Sequence, residues 1–212
     1  MIFNRSKSEL PDAQSALPGR DTRPFSVGET HLVLGNSIET DAPASMAVAV
    51  FGLGCFWGEE QTFWKVPGVW STSVGYAGGI TPNPTYEEVC SGRTGHAEVV
   101  RIIFDPALVS YLDLLKVFWE NHDPTQGMRQ GNDRGAQYRS IILTTSVEQQ
   151  TEAESSRERY QKTMSDRGYG EITTSILPLH DYYYAEEVHQ QYLVKNPNGY
   201  CPLHATGVAF GG

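Results

Sequence analysis

Cys55 sits in "GCFWGEE" (54–60), a thiol set between glycine and two large aromatics, with Glu59 and Glu60 behind it. A packed helix can use Phe and Trp but has little use for a thiol at a glycine-lined turn. At a helix N-terminus a cysteine meets unpaired N–H groups and the positive end of the dipole, which favours the nucleophilic thiolate. Free cysteine is also often a small buried hydrophobe, so position alone leaves the two readings about equal. The same stretch spells Gly52-x-Gly54-x-x-x-Gly58 after an apolar run, the look of a dinucleotide-binding turn. Phe56 and Trp57 stand where a pyrophosphate needs close backbone approach, and "STSVGYAGG" offers no acid for a ribose hydroxyl.

The other two cysteines, Cys90 and Cys201, form no CxxC with Cys55 or with each other, and the six histidines are scattered. Zinc-ligand spacing is absent, so neither a metal nor another cofactor is expected. A net charge of −9 and the lack of any Lys/Arg cluster argue against nucleic acid as a partner. No apolar run approaches the ~20 residues that span a membrane. The start "MIFNRSKSELPD" lacks the apolar core of a secretory signal, and Glu9 and Asp12 argue against a transit peptide. A cytoplasmic protein is expected, whose isolated cysteines are buried hydrophobes or reactive thiols.

Several elements must position these groups. Residues 1–45 are rich in Pro, Ser, Asp and Gly and read as an N-terminal extension that wraps the domain or stays mobile; residues 46–212 form the catalytic domain with its tail. "MAVAVF" (46–51) suits a central strand, and a helix follows on which Phe56, Phe63 and Trp64 share a face until Pro67-Gly68 ends it. Strands are expected at 69–79, 97–106, 136–145 and 171–178. Between the first two lies a long loop, "TPNPTYEEVCSGRTGH". Helices are expected at 110–122, with Ser110 and Asp113 spaced as a capping box, at 146–164, and at "YYAEEVHQQYLVKN" (183–196). The first six elements follow the split strand-helix-strand order of ferredoxin-like folds. The fold class expected is α+β, a two-layer sandwich with a mixed sheet, closed by an irregular C-terminal tail.

"GCFWGEE", "GYAGG", "NPTYEEVCSGRTGHAEVV", "FWENHDPTQ", "QGNDRGAQYRS" and "AEEVHQQYL" together resemble the peptide methionine sulfoxide reductase A family, across about residues 46 to 201. The resemblance implies a reductase of the S epimer of methionine sulfoxide, in proteins and free, of the class that reverses methionine oxidation. It implies Cys55 as nucleophile and Phe56 and Trp57 as walls of the pocket for the substrate's methyl group. It implies Glu98 as the acid that protonates the sulfoxide oxygen, Tyr86 and Tyr138 as hydroxyls bonded to that oxygen, and Asp133 as a further polar lining residue. Cys201 matches the tail cysteine that resolves a Cys55 sulfenic acid to a disulfide, with thioredoxin as reductant. Some relatives carry another cysteine eight residues after the resolver; here that residue is Ala209, which favours a direct Cys55–Cys201 disulfide. A monomer is expected.

Chemistry supports the assignments separately. Sulfoxide sulfur is electrophilic only while its oxygen is protonated or strongly hydrogen-bonded, so an attacking Cys55 thiolate needs an acid opposite it. A carboxyl beside aromatic rings has its charged form desolvated and its pKa raised, and can donate a proton near neutral pH. Tyrosine hydroxyls share the developing charge as positioned donors. Two alternatives remain at this level: a thiol peroxidase, which needs neither Glu98 nor the pocket, and a non-enzymatic aromatic-pocket module that binds peptides.

Overall fold

The computed structural model describes residues 7–200 and 204–211. Alternation along the strands decides what faces what. In β1 (Ala47–Gly52), Ala49 and Phe51 join the large core while Val50 points to the opposite face. In β3 (Ala97–Phe104), Val100, Ile102 and Phe104 face that same core, and Ala97 and Val99 face away. Glu98 has the parity of Val100, so the pleat aims a carboxylate into the helix-covered side of the sheet.

That side is covered by α1 (Phe56–Trp64), α3 (Tyr111–Glu120) and α4 (Val147–Asp166), which supply Phe63, Phe118, Trp119 and Tyr160 to the cluster. Phe51 lies 5.6 Å from Phe63 and 5.3 Å from Phe118, ring centre to ring centre. Truncating an aromatic packed like this to Ala typically costs ~3–5 kcal/mol. The opposite face carries only the smaller cluster of Val50, Ala77, Ala97, Val99, Ile141 and Leu143. The result is the expected two layers.

With β2 (Val69–Ala77), β6 (Ile141–Thr144), β7 (Ser175–Pro178) and β8 (Tyr182–Tyr184), the sheet runs β7-β6-β1-β3-β2-β8. The four central strands, β6-β1-β3-β2, are antiparallel to one another and have the ferredoxin-like order; β7 adds parallel to β6, which makes the sheet mixed. A separate hairpin, β4 (Arg129–Gln130) and β5 (Asp133–Arg134), forms within the polar loop after α3.

Three local expectations need correction. The long loop holds a short helix, α2 (Tyr86–Cys90), closed by a capping box in which Thr85 Oγ1 accepts the Glu88 N–H at 3.3 Å and Glu88 accepts the Thr85 N–H at 2.9 Å. The Thr-x-x-Glu spacing was its signal. The strand expected from 136 begins only at Ile141, because Ala136–Tyr138 form a 3₁₀ turn. The helix expected over 183–196 is absent: Tyr182–Tyr184 pair with β2, and only α5 (Tyr192–Lys195) is helical. Side chains override helical propensity there. Gln190 accepts the Val74 N–H and donates to the Val74 and Ala185 carbonyls, and Gln191 adopts a left-handed conformation, φ 45°.

Residues 7–46 lie along the domain with no named helix or strand, and the described tail beyond α5 is irregular, as expected. No described helix is long and apolar enough to cross a membrane.

Candidate active site

Cys55 is the N-cap of α1, in extended conformation, and its side chain makes no capping bond. The turn that delivers it depends on Gly54, whose φ is +132° and whose added Cβ would lie 2.9 Å from the Gln130 side chain. From the helix, Glu59 reaches back to accept the Leu53 N–H at 2.5 Å. From the sheet, Glu98 Oε2 accepts the Phe56 N–H at 3.2 Å. Two buried carboxyls thus hold the backbone on either side of the cysteine.

Glu98 is 1 % exposed, and its Oε1 is buried with no protein partner. Burial raises its pKa to about 8, against the lowering effect of the Phe56 N–H, and Asp133 adds to the rise. Glu59 is likewise raised by burial, with its other oxygen unpartnered. At neutral pH the proposed acid holds its proton. The cysteine departs from expectation: burial, then the nearby Glu98 carboxylate, push the Cys55 thiol well above its ordinary value, and the Trp57 N–H only partly opposes this. The helix start does favour the thiolate here, but desolvation and the carboxyls outweigh it. The resting form is the thiol.

Phe56 is fully buried, 5.9 Å from Tyr76 and stacked at 6.5 Å on Tyr86. Trp57 is half-buried; its ring stacks on Tyr192 at 3.9 Å and its indole N–H donates to His189 Nδ1 at 3.2 Å. His189 also lies 4.4 Å from the Tyr86 ring. Glu186 accepts the Tyr86 N–H and the Tyr76 hydroxyl, each at 2.7 Å. His189, Glu186 and Tyr192 were missed as site neighbours, because "AEEVHQQYL" has the periodicity of a surface helix. Within the sequence, only the His189-x-x-Tyr192 spacing in "HQQY" hinted at more. His96, by contrast, is a packing residue: it accepts the Gly79 N–H and bonds the Thr81 carbonyl.

Tyr86 opens α2 and Tyr138 closes the 3₁₀ turn, and both stand close enough to Glu98 and Cys90 to feel their charge. Burial first, then Glu98, holds both phenols above their ordinary range, so they remain donors. Cys90 is half-buried at the end of α2, hydrogen-bonded with Tyr86. Asp133, on β5, accepts the Tyr200 hydroxyl at 3.1 Å while its Oδ2 is buried and unpartnered. Cys201 lies outside the described residues. Of its described neighbours, Tyr200 is tied to Asp133 and His204 packs directly on Gly131 of the β4–β5 hairpin. Cys55, Glu98, Phe56, Trp57, Tyr86, Tyr138 and Asp133 therefore come together. No described group of His, Cys, Asp and Glu is arranged to hold a metal ion. A groove of about 600 Å³ between Leu112, Val147 and Arg159, over α3 and α4, contains none of these residues.

A thiol at a helix start, facing a protonated carboxyl beside an aromatic wall, defines a candidate thiol oxidoreductase. The family model for peptide methionine sulfoxide reductase matches residues 47–209. A peptide methionine sulfoxide reductase MsrA of Rhodospirillum centenum is 59% identical over 98% of this chain and 94% of its own. One from Salinispora arenicola is 60% identical over 99% of this chain and 96% of its own. Among solved structures, methionine sulfoxide reductase A of Corynebacterium diphtheriae superposes with a TM-score of 0.86 at 47% identity, covering 96% of this chain and 98% of that one. The chain belongs to the peptide methionine sulfoxide reductase A family.

Proposed function

We propose that the chain reduces the S epimer of methionine sulfoxide, in peptides and free, with Cys55 as nucleophile and Glu98 as acid. The observation that supports this most is Glu98: a carboxyl bonded to the N–H next to Cys55, protonated up to about pH 8, with one oxygen left without a protein partner. The substrate's methyl group packs against Phe56 and Trp57, and its oxygen meets Glu98, Tyr86 and Tyr138, with Asp133 as a further polar neighbour.

The resting thiol closes the proton balance. Glu98 gives its proton to the sulfoxide oxygen as Cys55 sulfur bonds the substrate sulfur, and the new carboxylate takes the proton that the thiol sheds. The hydroxyl then passes from the substrate sulfur to the Cys55 sulfur as the adduct's S–O and S–S bonds break; methionine leaves and Cys55 is left as sulfenic acid. Cys201 attacks that sulfur, a disulfide forms, and its thiol proton leaves with the hydroxide as water. Thioredoxin, as an external dithiol, exchanges with the disulfide and restores both thiols. The seating of Tyr200 on Asp133 supports a resolving tail at this site.

The test is coupled turnover of each sulfoxide epimer with thioredoxin, with hydrogen peroxide as control. Turnover confined to the S epimer is expected; fast consumption of peroxide with no sulfoxide turnover would replace this reading with a peroxidase. Cys201→Ser should still release about one equivalent of methionine per enzyme in a single turnover, while thioredoxin-supported steady state falls sharply. Full thioredoxin activity in that variant, with a mapped Cys55–Cys90 disulfide, would make Cys90 the resolver.

A further inference from the structure

The N-terminal extension makes polar ties to the elements that carry the proposed site residues. The Lys7 carbonyl accepts the Ala136 N–H at 2.8 Å, at the start of the turn that presents Tyr138. His31 is 1 % exposed; its Nδ1 accepts the Val33 and Leu34 N–H groups, which leaves Nε2–H to donate to Thr72 at 2.8 Å. Thr72 in turn donates to buried Glu60 on α1 at 3.1 Å. Between these points, Arg20 grips α2. Its guanidinium donates to both Glu88 oxygens at 2.8 and 2.6 Å and to the Asn83 carbonyl at 2.8 Å, while Asn83 Nδ2 returns a bond to the Arg20 carbonyl at 2.9 Å.

Glu88 is the third residue of α2 and the acidic half of its capping box, so the fork of Arg20 acts on the group that sets where this helix begins. The first residue of α2 is Tyr86. A helix of only five residues has little stability of its own, and its start must be fixed from outside. Glu186 fixes the Tyr86 N–H from one side, and Arg20 fixes the box from the other. A two-pronged guanidinium constrains direction as well as distance, which is what a hydroxyl aimed at a single oxygen requires.

We propose that the extension is a positioning part of the reductase site, in which Arg20 acts through Glu88 to hold α2 so that Tyr86 points at the sulfoxide oxygen. This rests on the role proposed above for Tyr86. Arg20 itself touches no reacting atom.

The test is a double-mutant cycle on single-turnover methionine formation. Displacement of a reacting contact by an ångström can cost ~10²-fold; with Glu186 still in place, Arg20→Gln should slow the chemical step about tenfold, with half-saturating sulfoxide changed less than about twofold. In a Tyr86→Phe background, which has no hydroxyl to aim, the same substitution should change the rate by less than about twofold. An equal slowing in both backgrounds would make Arg20 a general stabiliser and overturn the proposal, as would an unchanged rate for Arg20→Gln alone. Full activity in Tyr86→Phe alone would instead remove Tyr86 from the mechanism and this route with it, leaving Cys55 and Glu98 standing.

Discussion

Two helix starts in this molecule are built for different ends. α3 begins on Ser110, whose hydroxyl accepts the Asp113 N–H at 3.1 Å while Asp113 accepts the Ser110 N–H at 3.0 Å. Those bonds satisfy backbone groups that would otherwise go unpaired. α1 begins on Cys55, a poor cap whose thiol makes no capping hydrogen bond of normal geometry, and the Phe56 N–H is taken by a carboxyl from the sheet. A good cap such as Ser is worth ~1 kcal/mol over a poor one, and α1 forgoes that to place sulfur at its tip. The first start serves stability; the second, on the role proposed for Cys55, serves reactivity, with Glu98 serving both.

The sharpest way to break this contrast is Cys55→Ser. Turnover should vanish, because a hydroxyl without an activating base is a poor nucleophile, yet stability should hold or rise by up to ~1 kcal/mol, since Ser caps better than Cys. Calorimetry beside the reductase assay reads both. A clear loss of stability would mean that the thiol is a packing group after all.

Glu98→Gln comes next. The amide keeps the shape but delivers no proton, so single-turnover rate should fall ~10²–10⁴-fold, with the tyrosines covering part of the deficit. In the wild type the active form carries protonated Glu98, so the rate should decline as pH rises through about 8, and the variant should lose that decline. Stability carries the same sign. A carboxyl whose folded pKa is raised binds its proton more tightly in the native state, so stability falls as pH rises from its ordinary range toward about 8. Denaturation of Glu98→Gln should show a flatter profile across that window; an unchanged slope and rate would rule Glu98 out as the acid.

The smallest effect belongs to the other helix. Ser110→Ala should cost ~1 kcal/mol, a fall of about 2–4 °C in Tm for a chain of this size, with kcat/KM unchanged. A matching loss of activity would mean that the two starts are coupled through the shared core.

How much of this was legible follows the same division. β1, β3 and α3 show in the sequence because apolar alternation and a Ser-x-x-Asp box are local signals. Cys55, Glu98 and the two tyrosines were found as parts of a many-residue likeness; alone, a Glu opening "AEVVRIIF" reads as a solvated edge residue, and it is the pairing of β3 between β1 and β2 that buries it. The protonation state of Cys55 was not legible: helix position suggested a thiolate, whereas burial controls it, followed by the carboxyls of Glu98 from β3, Glu59 from α1 itself and Asp133 from β5. His189 and Tyr192 escaped because their segment has helical periodicity, while its Gln190 bonds strand backbone 116 residues away in sequence.

The outermost strands carry a further consequence. β7 and β8, which end the sheet, are only four and three residues long, and β7 finishes on the exposed Pro178, which has no N–H to offer. Short borders and a terminal proline deny a neighbouring chain any long row of free backbone groups to zip onto. For an enzyme proposed to reach methionine sulfoxide in unfolded segments of other proteins, blunted borders would keep those segments from extending its own sheet.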